Sequence, residues 1–169
     1  MSLLALDLST KSTGWAIYNN KQLLERYGCI TAVDKDPINR ITKIIRELYR
    51  IMQEEGNDLQ ICVMEEVKPT AEDDRNFHTY KILMYLQAIV VLLLHEQFPR
   101  TKIEFLYPSE WRKNCGIRTG AGLKRKELKE YDIAFVAKEF NIKNINDDEA
   151  DAISIGYGYI QKTSVINWA

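Results

Sequence analysis

Asp7 sits inside Leu3-Leu4-Ala5-Leu6-Asp7-Leu8, a run that is apolar on both sides of it. An ionised carboxylate in such a strand costs free energy unless it is paired, hydrogen-bonded or bound to a cation. The plainer alternative is a turn residue at a strand end, bonding the backbone of Ser9-Thr10. Glu65 and Glu66 close a second apolar run, Gln60-Ile61-Cys62-Val63-Met64, in the same way. Successive strand residues face opposite sides, so only one of these two can share a face with Asp7. Asp147-Asp148-Glu149-Ala150-Asp151-Ala152 opens a C-terminal helix. Acids are favourable at a helix N-terminus, which accounts for Asp147 and Asp148. It does not account for Asp151, a full turn in, which projects from the same helix face as Asp148 at i, i+3 spacing.

Three separate elements therefore deliver carboxylates where local rules favour none. Like charges brought together raise one another's pKa and destabilise the fold unless something cancels them. A divalent cation does so. Cys29, Cys62 and Cys115 lack a metal-ligand spacing, and His78 and His95 read as packing or surface residues. The donors are then all oxygen, which suits the hard cations Mg²⁺ or Mn²⁺. Two such ions bridged by a shared carboxylate can activate a water and stabilise a leaving oxygen in phosphodiester hydrolysis.

The elements that must position these acids follow from pattern and punctuation. Leu3–Leu8, Gly14–Tyr18 and Leu23–Ile30 read as a three-stranded meander with a hairpin at Asn19-Asn20-Lys21. Asp36-Pro37 supplies an N-cap and a first helical position. Ile38, Ile41, Ile44, Ile45, Leu48, Ile51 and Met52 then fall on one face of a helix that Gly56-Asn57 ends. After the strand Gln60–Met64 comes a polar segment, Lys68–Arg75, and a long helix from about Asn76 to Phe98. Its stretch Ile82–Leu94 has Gln87 as its one polar residue. That apolar stretch is short for a bilayer span and reads as a core helix that also self-associates. The pattern does not fix which positions face outward; Leu86 and Val90 are candidate contact positions. Lys102–Tyr107 is a strand that Pro108-Ser109 breaks, followed by a basic, Gly-containing stretch from Trp111 to Leu123. A charged helix, Lys124–Phe140, and a final helix, Asp147–Ile160, complete the order βββαβαβαα. This predicts an α/β fold: a mixed five-stranded sheet, a three-stranded antiparallel meander plus two parallel strands, with helices on both faces.

Length and composition fit one domain over residues 1–169, without linker or low-complexity tract. The N-terminus lacks the basic region of a signal peptide, so a cytoplasmic location is expected. A net charge of −1 argues against a nucleic-acid binder. The distribution argues otherwise: residues 100–143 carry 11 Lys/Arg against 6 Asp/Glu, while both flanking segments are acidic. A solvated helix face would look the same.

Leu6-Asp7-Leu8-Ser9-Thr10-Lys11-Ser12-Thr13-Gly14-Trp15-Ala16, Val63-Met64-Glu65-Glu66-Val67 and Asp148-Glu149-Ala150-Asp151-Ala152-Ile153, in that order over residues 3–160, resemble the RuvC-type Holliday junction resolvases of the ribonuclease H-like superfamily. The resemblance implies a crossover junction endodeoxyribonuclease, a homodimer built around the long apolar helix, and branched, four-way-junction DNA as partner. It places the four acidic metal ligands, for two Mg²⁺ or Mn²⁺ ions, on Asp7, Glu65, Asp148 and Asp151. Glu65 is preferred to Glu66 because the family's acid ends the strand directly and a polar residue and a Val follow. It assigns the DNA-contacting role to Arg112, Lys113, Arg118, Lys124, Arg125 and Lys126, with Lys124 or Lys113 stabilising charge on the phosphate. Tyr107-Pro108-Ser109-Glu110-Trp111-Arg112 looks like the phage-encoded relatives, in which case the location is the host cytoplasm.

Other readings stand beside this one. Asp7-Leu8-Ser9-Thr10 with Gly14 also resembles the first phosphate loop of the actin-like ATPases and sugar kinases. Those enzymes close a nucleotide between two such domains, so a nucleotide cofactor is not expected here. Ribonuclease H activity, a general branched or flap DNA nuclease, and a non-catalytic DNA-binding member of the superfamily share the same residues, because substrate choice lies in loops and dimer geometry.

Overall fold

A computed structural model describes residues 2–67, 73–120 and 122–166. Five strands form one sheet: β1 (Ser2–Asp7), β2 (Ser12–Tyr18), β3 (Leu24–Thr31), β4 (Leu59–Glu65) and β5 (Lys102–Leu106). Their order is β3-β2-β1-β4-β5. β1, β2 and β3 run antiparallel as a meander, and β4 and β5 add in parallel to β1. The mixed sheet agrees with the sequence expectation.

Alternation along the strands splits the core. Leu4, Leu6, Ile17, Cys62 and Met64 face one side, covered by α1 (Pro37–Glu55) and α2 (Asp73–Gln97). Leu3, Ala5, Ala16, Tyr18 and Val63 face the other, covered by α3 (Pro108–Asn114), α4 (Arg125–Glu139) and α5 (Asp147–Ile166). By this parity Asp7 follows Leu3 and Ala5, and Glu65 follows Val63, onto the α3–α5 side.

Helix α1 starts as its punctuation requires: the Asp36 side chain accepts from the Ile38 N–H at 2.9 Å, and Pro37 occupies the first turn. Ile41, Ile44, Leu48, Ile51 and Met52 are buried, but Ile38 is 55% exposed. Ile38 lies in the first turn, before the helix has come over the sheet, so the apolar face is shorter than the pattern indicated.

Two further corrections concern the helices. The stretch read as an irregular basic segment begins with a helix, α3, and the element order gains one member. Tyr107 is its N-cap, Pro108 stands in the first turn with Glu110, and Arg112 and Lys113 are in the last turn. Pro108 thus starts a helix rather than merely ending a strand. The second concerns α2, which has 25 residues, of which Phe77–Gln97 is long and apolar enough by length and composition to cross a membrane. Ile82, Leu86, Val90 and Leu94, at i, i+4 spacing, point into the core. Leu86 and Val90 are therefore core positions, not outward ones. The outward side carries Phe77, Met84, Tyr85, Ile89 and Leu92, with Leu92 59% exposed. Part of the polar segment before α2, residues 68–72, lies outside the described residues.

Leu86 is fully buried, so Leu86→Ala removes methyl groups from a closed core. It should lower stability by about 2–5 kcal/mol in denaturant unfolding, whereas a contact position on a free surface would change it by under about 0.5 kcal/mol.

Candidate active site

The acids meet at one end of the sheet because of strand register and one close approach. Asp7 and Gly14 are register partners on β1 and β2, and Leu6 pairs with Met64, one residue before Glu65. A Cβ at Gly14 would lie 1.9 Å from the backbone oxygen of Asp148. Only glycine lets the first turn of α5 rest directly on β2 there, beside Asp7. The β1–β2 turn is closed by Thr13, whose hydroxyl donates to the Ser9 carbonyl at 2.6 Å and accepts from the Ser9 N–H at 3.2 Å.

Helix α5 sorts its own acids. Asn146 Oδ1 accepts from the Glu149 N–H at 2.8 Å, and Glu149 Oε2 accepts from the Asn146 N–H at 3.2 Å, a reciprocal capping box. Asp147 is ion-paired with Lys129 of α4. Asp148 accepts from the Ser12 hydroxyl, and Ser12 in turn meets the Cys29 thiol at 2.9 Å. Asp151 is 8% exposed, and its Oδ1 has no hydrogen-bond partner among the described residues. Asp147 and Glu149 are thus accounted for structurally, and Asp148 and Asp151 are left facing Asp7 and Glu65.

These four acids line a single cleft of about 440 Å³. Glu65 lines it and Glu66 does not. The α4 side contributes Arg125 and Lys129, and Arg112 reaches in from α3. Lys113, Arg118, Lys124 and Lys126 are exposed outside the lining. Arg112 is committed to Asp132: Nε and Nη2 form bonds of 2.8–3.1 Å to both carboxylate oxygens, with the side chains 11% and 0% exposed. Asp132, Lys129 and the indole of Trp111 are parts of the site that sequence reading missed. Asp132 is an acid in the middle of α4, flanked by Tyr131 and Ile133, and that placement was a usable signal.

The electrostatics are those of crowded, buried acids. Burial pushes the Asp7 carboxyl up to about 7, and Glu65 and Asp148 add to the shift. Burial raises Asp151 too, reinforced by Asp7 and Asp132. Glu65 is raised by burial, with the Trp111 hydrogen bond and Arg112 acting against it. Among the described residues no group of three or more His, Cys, Asp or Glu side chains is already spaced to hold a metal ion. The donor chemistry nevertheless fits a hard divalent cation: every candidate ligand is a carboxylate, Asp151 Oδ1 is buried without a partner among the described residues, and neighbouring acids add to the raised proton affinity of Asp7 and Asp151.

A mixed five-stranded sheet of this order with helices on both faces is a ribonuclease H-like fold, the fold of the Holliday junction resolvases. Thermus thermophilus RuvC in complex with a Holliday junction substrate superimposes with a TM-score of 0.74 at 12% identity, over 98% of this chain and 96% of that one. The Fowlpox virus resolvase, in complex with Holliday junction DNA, gives 0.60 at 16% identity over 96% and 99%. The yeast mitochondrial Holliday junction resolvase gives 0.57 at 13% identity over 98% and 80%. No family model and no curated protein sequence matches the chain. These structures do not bear on the phage-encoded origin that the Tyr107–Arg112 run had suggested.

The raised acids make metal-free stability pH-dependent, with a fixed sign. A carboxyl raised in the folded state contributes stability that is fully present below its ordinary value of 3.8 and is lost as pH rises through about 7, for Asp7. The melting temperature in EDTA should therefore fall across that interval, and Asp7→Asn should make the fall shallower. Equal slopes in the two proteins would show that Asp7 is not under strain.

Proposed function

We propose that the chain is a divalent-metal-dependent endonuclease that cuts branched DNA, four-way junctions foremost, and does so as a homodimer. The observation that carries this reading is the convergence of Asp7, Glu65, Asp148 and Asp151 in one cleft of a resolvase fold. Four carboxylates would repel a phosphodiester, so the cleft suits phosphate chemistry only with cations present.

Asp7, Glu65, Asp148 and Asp151 would hold Mg²⁺ or Mn²⁺, two ions on this reading, which when bound supplies an activated water and neutralises charge on the phosphate. The rest is done by the chain itself. Arg125 and Lys129 on α4, which line the same cleft, orient the phosphate. Lys113, Arg118, Lys124 and Lys126, exposed beside it, track the DNA backbone and supply affinity rather than sequence choice. Lys124, next to the cleft residue Arg125, is the exposed lysine best placed to act on the phosphate. The outward stripe of α2, Phe77, Met84, Tyr85, Ile89 and Leu92, is the dimer contact: an apolar helix face of this length is covered in solution. A dimer brings two clefts to one junction, as symmetric cutting requires.

The decisive experiment incubates the protein with four-way, three-way, flap and linear DNA and with RNA–DNA hybrid, in Mg²⁺, Mn²⁺ and EDTA. Paired nicks confined to branched DNA and abolished by EDTA are expected; equal cutting of the hybrid would favour a ribonuclease. Asp151→Asn should reduce nicking by orders of magnitude while the EDTA melting temperature holds or rises, since one crowded charge has gone. A destabilised variant of normal specific activity would remove Asp151 from the site. In sedimentation, Ile89→Asp should convert a dimer to a folded monomer; a monomeric wild-type protein at micromolar concentration would end the dimer reading.

A further inference from the structure

Resting on the nuclease reading above, we propose that Trp111 is a positioning residue for Glu65: its indole N–H holds one carboxylate oxygen and leaves the other to a cation. Trp111 Nε1 donates to Glu65 Oε2 at 3.0 Å. The indole is a donor only, and Trp111 is fully buried, so its N–H needs an acceptor. Glu65 stands at the last residue of β4, where its side chain has left the close packing of the strand. The two groups therefore constrain each other unequally, and Trp111 is the fixed member.

What fixes it is the docking of α3. A Cβ at residue 158 would lie 2.8 Å from the Trp111 carbonyl oxygen and 3.0 Å from its Cα, so Gly158 lets α3 sit flush on α5. Asn114 Nδ2 donates to the Gly158 carbonyl at 3.1 Å, the Cys115 thiol donates to the Ser154 carbonyl at 3.2 Å, and Glu110 pairs with Lys162 at 2.7 Å. Arg112 stacks at 4.1 Å on the Trp111 ring while its guanidinium is clamped by Asp132. The same α5 that anchors α3 carries Asp148 and Asp151. The Glu65 carboxylate, which comes from a different element, is thereby held in the frame of the other two acids. Groups that orient a ligand in this way are typically worth 10–100-fold in metal affinity.

Mn²⁺ binding, read by electron paramagnetic resonance on the full-length protein without DNA, tests this apart from activity. Trp111→Phe should weaken Mn²⁺ by about 10–100-fold. Because Phe leaves a cavity, the second variant carries benzothienylalanine at position 111, an isostere in which sulfur replaces the N–H. It should lose Mn²⁺ affinity to the same degree, with an unchanged far-ultraviolet circular dichroism spectrum and unchanged junction affinity in EDTA. Val136→Ala, which loosens the same core without touching Glu65, should bind Mn²⁺ normally. Normal affinity in the isostere, or equal loss in Val136→Ala, would overturn the positioning role. Glu65→Gln is the reference: if it too binds Mn²⁺ normally, it is the metal reading of the site that fails, whatever Trp111 does.

Discussion

Mutual repulsion among buried carboxylates is the constraint on which the rest of this structure depends. Burial raises Asp7 to about 7 and raises Asp151 as well, and the neighbouring acids add to both shifts. A fold does not gain stability from such a cluster; it has to restrain it. The restraint is distributed. Gly14 admits α5 against β2, Ser12 donates to Asp148, Trp111 donates to Glu65, and Lys129 takes Asp147 out of the cluster. The contacts come from β2, α3 and α4, so the site is a property of the assembled sheet and helices rather than of any one motif.

Helix α2 shows how the site constrains elements that contribute no acid. Gln87, the polar interruption in its apolar stretch, is buried and donates to the Glu65 backbone carbonyl at 3.0 Å. Leu83 and Thr79 of the same helix line the cleft. One face thus closes the core and supports β4 where Glu65 leaves the strand, while the opposite face remains apolar and exposed. A helix apolar nearly all round thus has one face in the core and one outside it, and its composition alone cannot say which residue lies on which.

The parts of this architecture that obey a period were legible in the chain. Leu3, Ala5 and Asp7 share one parity and Val63 and Glu65 another run of the same parity, so the facing acids follow from alternation. The meander, the capped start of α1 and the i, i+3 relation of Asp148 to Asp151 are likewise local. What was not legible depends on partners distant in sequence. Asp132 reads as one more charge on a helix until Arg112, twenty residues earlier, closes on it. Trp111 reads as an aromatic in a basic segment until α3 is recognised, and α3 was missed because Pro108 ends β5 and begins the helix at once. Ile38 and the inward direction of Leu86 and Val90 depend on where a helix crosses its sheet, which periodicity leaves open.

The cations divide in the same way, and the division bears on how the cleft would meet a phosphate. Arg112 stands among the acids but is bound through two nitrogens to a fully buried carboxylate. Withdrawing it to contact DNA would strand Asp132 without a partner, a loss of about 3–5 kcal/mol for a buried pair. A phosphate contact supplies less than that at physiological salt, where much of its worth is counterion release. Arg112 is accordingly an internal counter-charge that partly offsets the repulsion at Asp7, Glu65 and Asp151. Lys129 is an intermediate case, since its partner Asp147 is partly exposed and remains hydrated once released. Arg125 and the exposed lysines around it have no such commitment to a buried acid and can follow a backbone at little cost. The basic segment between β5 and α5 therefore contains two kinds of cation, one that allows the acids to be there and one that faces outward from them.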